Sequence, residues 1–206
     1  MKHFFLFAAA LLISVNAFNG CKNYTAEEKQ YIDGIEKQRL EKNEEYKSSP
    51  ASPFNQEPKV HFEPLKYYDV DPAFVFKSKL TEYIPKDTIT IFGTKGEARS
   101  VVKSGYLQFT THGKTFRMNV YEGVSKSGQK YHSLWFTDKT TNNETYGVGR
   151  YLDFELEPDP EFVYTIDFNL AYNPYCAYSP RYSCAIPSKE DYLDLAVEAG
   201  EKKFHE

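Results

Sequence analysis

Two stretches of the chain gather side chains able to do more than pack. Residues 136–151 hold Asp138, Glu144 and Arg150, and residues 167–184 hold Asp167, Asn169, Tyr172, Cys176 and Cys184. An arginine can clamp an anion through parallel N–H donors, and an aspartate beside it can act as base or ligand. One reading therefore draws Asp138, Arg150, Asp167, Asn169 and Tyr172 into a single ligand pocket. The competing reading is structural: Arg150 pairs with Asp167 and pins two strands, because buried charges demand partners. No catalytic residue is assigned, since the chain has no nucleophile elbow, metal-binding helix motif or phosphate loop. A hydrolase would have to use Asp138 or Asp167 with Arg150.

Tyr172, Tyr175, Tyr178 and Tyr182 extend the second stretch. They can line an aromatic pocket for a sugar or planar ligand, or wrap the two cysteines as local packing. His112 and His132 read as isolated surface histidines; a metal pair would need them face to face on neighbouring strands. No metal site and no cofactor is expected.

The N-terminus bears on the cysteines. Met1-Lys2-His3 is a short basic start, followed by a run from Phe4 to Val15 that is apolar except for Ser14. Roughly 20 apolar residues are needed to span a bilayer, so this run fits the core of a signal peptide. Ala17-Phe18-Asn19-Gly20-Cys21 then resembles a lipobox, the signal-peptidase site that leaves a lipid-bearing cysteine, although Asn19 is unusual there. The expectation is a signal peptide at 1–20, lipidation at Cys21 and a membrane partner through that lipid. An ordinary secretory signal cut near Ala17 is the alternative. Of three cysteines, Cys21 would then carry lipid and leave Cys176 and Cys184 as a pair. In an oxidising compartment a disulfide is expected between them, stabilising by about 2–3 kcal/mol for so short a ring. A zinc site would need two further ligands, and a nucleophile would need a free thiol and a base.

The elements that must position these residues are mostly strands. Thr25-Ala26-Glu27-Glu28 is a capping box opening a charged helix to about Lys47, with Tyr31, Ile32, Ile35 and Leu40 as a thin apolar stripe. Pro50 and Pro53 prevent its continuation. Residues 21–58 thus read as a lipid-anchored helix and linker, a stalk lifting the domain off the membrane. From 59 to 206 the signals are β. Strands are expected near 73–77, 88–92, 99–102, 106–110, 115–121, 131–136, 151–156 and 162–168, with 192–197 closing the sheet. With Tyr 17 and Phe 16 against Met 2, the composition favours strands over a helical bundle. The fold class is mainly β, one antiparallel sandwich or barrel-like domain with an N-terminal helix. A net charge of -4 without a basic block leaves no electrostatic footprint for nucleic acid.

Several strings carry a resemblance: Thr145-Tyr146 to Gly149-Arg150-Tyr151, Asp167-Phe168-Asn169, Ala171-Tyr172-Asn173-Pro174, Cys176-Ala177-Tyr178 and Ala199-Gly200-Glu201. Together they resemble the bacterial family catalogued as domain of unknown function 1684, a group of exported lipoproteins. The chain departs from that pattern at Asn142, Ala185, Ser188 and Asp191, so no role carries over to the loop after Cys184. The resemblance implies a family and no activity. The expectation is a binding or accessory protein of the cell envelope, taking an unknown small molecule or envelope component. A purely structural envelope protein is the remaining alternative.

Overall fold

A computed structural model describes residues 23–125 and 128–205. The expected signal peptide at 1–20 and the expected lipidation site Cys21 lie outside the described residues. Helix α1 spans Ala26–Ser48, and its start is the capping box expected. The Thr25 hydroxyl accepts from the Glu28 amide at 3.1 Å, and Glu28 Oε2 accepts from the Thr25 amide at 2.8 Å. The Ser49 amide donates to the Glu45 carbonyl at 2.8 Å, and Pro50 follows.

Among the described residues eight strands follow: β1 Val75–Lys79, β2 Thr81–Phe92, β3 Ala98–Thr111, β4 Lys114–Val124, β5 Lys130–Asp138, β6 Arg150–Phe154, β7 Val163–Asp167 and β8 Tyr192–Leu193. Strands β2 to β6 form one antiparallel meander, and β1 pairs with β7 in a separate two-stranded sheet. The large sheet curls into a half-barrel. Register shifts between Glu82 and Asp87, and between Lys103 and Gly105, supply bends of the kind that bulges introduce. The segments expected at 99–102 and 106–110 are one continuous strand, β3, because Ser104-Gly105 is absorbed as the irregularity rather than a turn.

The sheet is covered on both faces. Val120, Leu134 and Leu152 lie in cross-strand register and join Leu107, Met118, Phe136, Ile166 and Phe168 in the main core. On the opposite face Trp135 stacks on Tyr121 at 4.4 Å between ring centroids, with Ile91, Val101 and Ala185 beside them. This is why β4 is buried at four consecutive positions, Met118 to Tyr121, despite an alternating sequence.

The C-terminal segment differs from the expected closing strand. Only Tyr192–Leu193 pair, and they run parallel to β5 at Thr137 and Asp138. The alternation itself continues, with Leu195, Val197 and Ala199 buried after Leu193. Beyond Leu195 the carbonyls find a different partner, the guanidinium of Arg150.

Nor is α1 a free stalk. Ile35 and Tyr46 are buried, whereas Leu40 of the expected apolar stripe is 68 % exposed. Polar side chains do much of the docking. Arg39 donates to the Tyr68 and Asn169 carbonyls at 2.8 and 3.2 Å, and Asn43 Oδ1 accepts from the Leu65 amide at 2.8 Å. The segment after the helix is also packed, with Phe54 in an aromatic cluster of Tyr46, Tyr178 and Phe204.

Candidate functional site

Arg150 pairs with Asp138, not with Asp167. Its Nη2 donates to Asp138 Oδ2 at 2.7 Å, and both side chains are essentially sealed from solvent. Asp138 Oδ1 accepts from the Thr140 amide and hydroxyl at 2.6 and 2.5 Å. Arg150 Nη1 and Nη2 also serve the C-terminal segment, donating to the carbonyls of Val197 at 2.8 Å, Glu201 at 3.3 Å and Ala199. Burial pulls the Arg150 pKa below its ordinary value, and Asp138 opposes that shift. The pair ties the β5–β6 turn region to the chain end.

Asp167 and Asn169 form a second buried knot. Both Asp167 oxygens accept from the Tyr31 hydroxyl, at 2.9 and 2.7 Å, so the partner of Asp167 comes from the helix and not from Arg150. Asn169 Oδ1 accepts from the Asp71 amide at 2.9 Å, and its Nδ2 donates to the Asp71 carbonyl at 2.8 Å. Burial, and then the Asp167 carboxylate, push the Tyr31 hydroxyl pKa up.

The five residues expected in one pocket therefore separate. A cleft of about 740 Å³ opens between α1 and the sheet. Asn169 and Tyr172 line it, while Asp138, Arg150 and Asp167 do not. Six tyrosines line it, Tyr46, Tyr67, Tyr151, Tyr172, Tyr175 and Tyr182, with Tyr46 edge-on to Tyr175 at 6.1 Å between ring centroids. At its base Lys42 Nζ meets Glu201 Oε1 at 2.6 Å and lies 5.1 and 5.0 Å from the ring centroids of Tyr46 and Tyr172. Glu201 is 1 % exposed, and its other oxygen accepts from the Asn173 amide at 2.8 Å and from the Tyr178 hydroxyl. Tyr172 donates to Asp153 at 2.8 Å, and burial first, then that carboxylate, raises its pKa. Of the tyrosines singled out from sequence, Tyr172, Tyr175 and Tyr182 line the cleft, and Tyr178 is packed beneath it.

Lys42, Tyr46, Asp153 and Glu201 were not singled out for a site. Lys42 and Tyr46 sit in the charged helix that reads as a stalk, off its thin apolar stripe, and Glu201 was visible only inside the Ala199-Gly200-Glu201 string. Asp191 is another buried carboxylate, held by Asn119, Tyr121 and Ser188 at 2.8 to 2.9 Å. The two histidines stay apart, His112 in the β3–β4 turn and His132 beside Glu122 at the far end of β4. Cys176 and Cys184 are free thiols in the structure, so the expected disulfide is not formed there.

A family model described as Protein of unknown function (DUF1684) matches residues 60–202, most of the chain. This chain belongs to the DUF1684 family. An uncharacterized protein of Haloarcula marismortui, solved in solution by NMR, has a similar structure. It shares 27 % identity at a TM-score of 0.61, over 85 % of this chain and 96 % of that one. No curated protein matches. For this DUF1684 chain the structural likeness takes in a larger share of the sequence than the family model does.

Proposed function

We propose that this DUF1684 protein is an exported, lipid-anchored binding protein whose small ligand occupies the tyrosine-lined cleft beside α1. The observation that supports the reading is the cleft's construction. Six tyrosines surround an ion pair that is already satisfied at the base. Flat aromatic faces suit a sugar ring or planar group, and each favourable ring contact contributes roughly 0.5–1.5 kcal/mol. Glu41, Glu45 and Asp153 on the walls can accept hydrogen bonds from ligand hydroxyls. With Arg39 and Lys42 set against Glu41, Glu45, Asp153 and Glu201, the lining is not electropositive, which disfavours an anion. The hydrolase reading loses support, since Asp138 and Arg150 are sealed from solvent and paired with each other away from the cleft.

The cleft is tested with a panel of soluble mono- and oligosaccharides by calorimetry. Tyr172→Ala is expected to weaken any binder about tenfold or more, by loss of ring contact and of the hydroxyl that Asp153 orients. An unchanged affinity would move binding away from the cleft. The anchor is tested separately, because it rests on the leader and Gly20-Cys21. Cys21→Ser is expected to shift the protein from the membrane fraction to the soluble one. A variant that stays with the membrane, as the parent protein does, would overturn the lipid reading.

A further inference from the structure

Cys176 and Cys184 take no part in the ligand reading above, yet the fold brings them together. Cys184 Sγ accepts from the Cys176 amide at 3.3 Å, which sets the two cysteines side by side although they lie eight positions apart. The Tyr146 hydroxyl donates to the Cys176 carbonyl at 3.3 Å and lies 3.8 Å from its sulfur. Both cysteines are partly exposed, and Cys184 forms part of the cleft wall.

The loop between them is already secured without a covalent link. The Thr94 amide donates to the Cys184 carbonyl at 2.9 Å, and the Cys184 amide donates to the Thr94 hydroxyl at 3.2 Å. Arg99 donates to the Ser183 carbonyl at 2.7 Å. At the other end Tyr178 is buried with its hydroxyl on Glu201. Two neighbouring cysteines in a loop that is held by other contacts point to reversible chemistry rather than to a permanent bond.

We propose that Cys176 and Cys184 form a dithiol–disulfide exchange site opening on the tyrosine-lined cleft, with small-molecule disulfides as co-reactants. A thiolate of the pair attacks one sulfur of the small disulfide, forming a mixed disulfide and expelling one small thiolate. The second cysteine sulfur then attacks the protein sulfur of that mixed disulfide. The Cys176–Cys184 bond forms, and the second small thiolate leaves. The two cysteine protons end on the two released thiols. The protein pair loses two electrons and the small disulfide gains them.

The geometry suits the first step. A hydrogen bond from Cys184 draws the Cys176 thiol down to about 7, and the same contact holds Cys184 up. The first proton therefore belongs to the pair, and the remaining thiol steadies the thiolate near neutral pH. The cleft volume of about 740 Å³ admits a small disulfide and excludes a folded protein.

The test uses the full chain in buffers of graded reduced-to-oxidised glutathione ratio, with acid quench, alkylation and peptide mapping. Cys176 and Cys184 should oxidise together and reversibly, with a midpoint inside the glutathione range. Either Cys176→Ser or Cys184→Ser should accumulate a glutathione mixed disulfide on the remaining cysteine, which the parent protein resolves. Alkylation of the parent protein should follow a midpoint near 7, below the ordinary thiol value of about 8.5. A pair that stays bonded in the most reducing buffer would be a structural disulfide, and the proposal would fall. It would fall equally if the folded protein's thiols resist oxidation or titrate as ordinary thiols. None of these readouts depends on a sugar or planar ligand, so the two readings fail separately.

Discussion

Arg150→Met is expected to lower stability by about 3–5 kcal/mol, since it leaves the buried Asp138 carboxylate without its cation. At this chain size that corresponds to a fall in Tm of about 10 °C or more. The aspartate is not the whole of it. Arg150 also donates to the carbonyls of Val197, Ala199 and Glu201, which have no strand beside them to take over. Buried carbonyls need partners, and losing one costs about 1–3 kcal/mol. The double variant Asp138→Leu with Arg150→Met separates the contributions. Removing both charges should recover part of the loss, because a buried pair replaced by apolar groups is often neutral. The orphaned carbonyls should keep the rest unrecovered. Thermal melts of the two single variants and the double variant make the comparison. A single variant melting within about 2 °C of the parent protein would show that Arg150 does not anchor the chain end.

Gly200→Ala is expected to cost about 2–4 kcal/mol, an unusually large effect for one methyl group. Gly200 has a φ of +75°, a conformation disfavoured for residues with a side chain. An added Cβ would also lie 2.5 Å from the Ala171 carbonyl oxygen and 2.6 Å from that of Phe168. Both are backbone atoms, so neither can swing aside. The Ala171 carbonyl is also the acceptor for the Glu201 amide at 2.8 Å, and the Gly200 carbonyl accepts from the Tyr68 amide at 3.0 Å. Any shift that relieves the clash moves Ala199 relative to Arg150 on one side and Glu201 relative to Lys42 on the other. The substitution should therefore weaken the cleft as well as the fold. Gly34→Ala is the control, because that position lies in α1 with open space around it. There alanine should stabilise by about 0.5–1 kcal/mol. Denaturant unfolding of both variants checks the contrast, and equal effects would remove the special standing of Gly200.

The sequence carried the local structure well. The capping box, the proline stop and most of the strands follow from short-range rules of hydrogen bonding and alternation, and the fold bears them out. The segment 192–197 does alternate in burial, with Leu193, Leu195 and Val197 inward, although only its first two residues pair as a strand. Alternation reports where side chains point and not what the backbone bonds to, so it missed that Arg150 stands where a neighbouring strand was expected. The polar stretches 136–151 and 167–184 were rightly seen as unusual. Sharing polar character is not the same as sharing a location, and they form two closed networks and part of one cleft.

The β character of the domain, the start and stop of α1, the family membership carried by its strings and the clustering of tyrosines before Cys184 are all legible from the residues alone. Those depend on neighbours within a few positions. Only the tertiary structure decided which ion pairs with which. Asp138, Asp167 and Glu201 were each free to be a partner, and the choice fell on Arg150, Tyr31 and Lys42 across 12, 136 and 159 positions. The same holds for the helix. Its charges read as a solvated surface, but a charge is excluded from an interface only when nothing there can neutralise it. The carbonyls of Tyr68 and Asn169 and the carboxylate of Glu201 do so, and a stretch that reads as a stalk becomes the wall of the cleft.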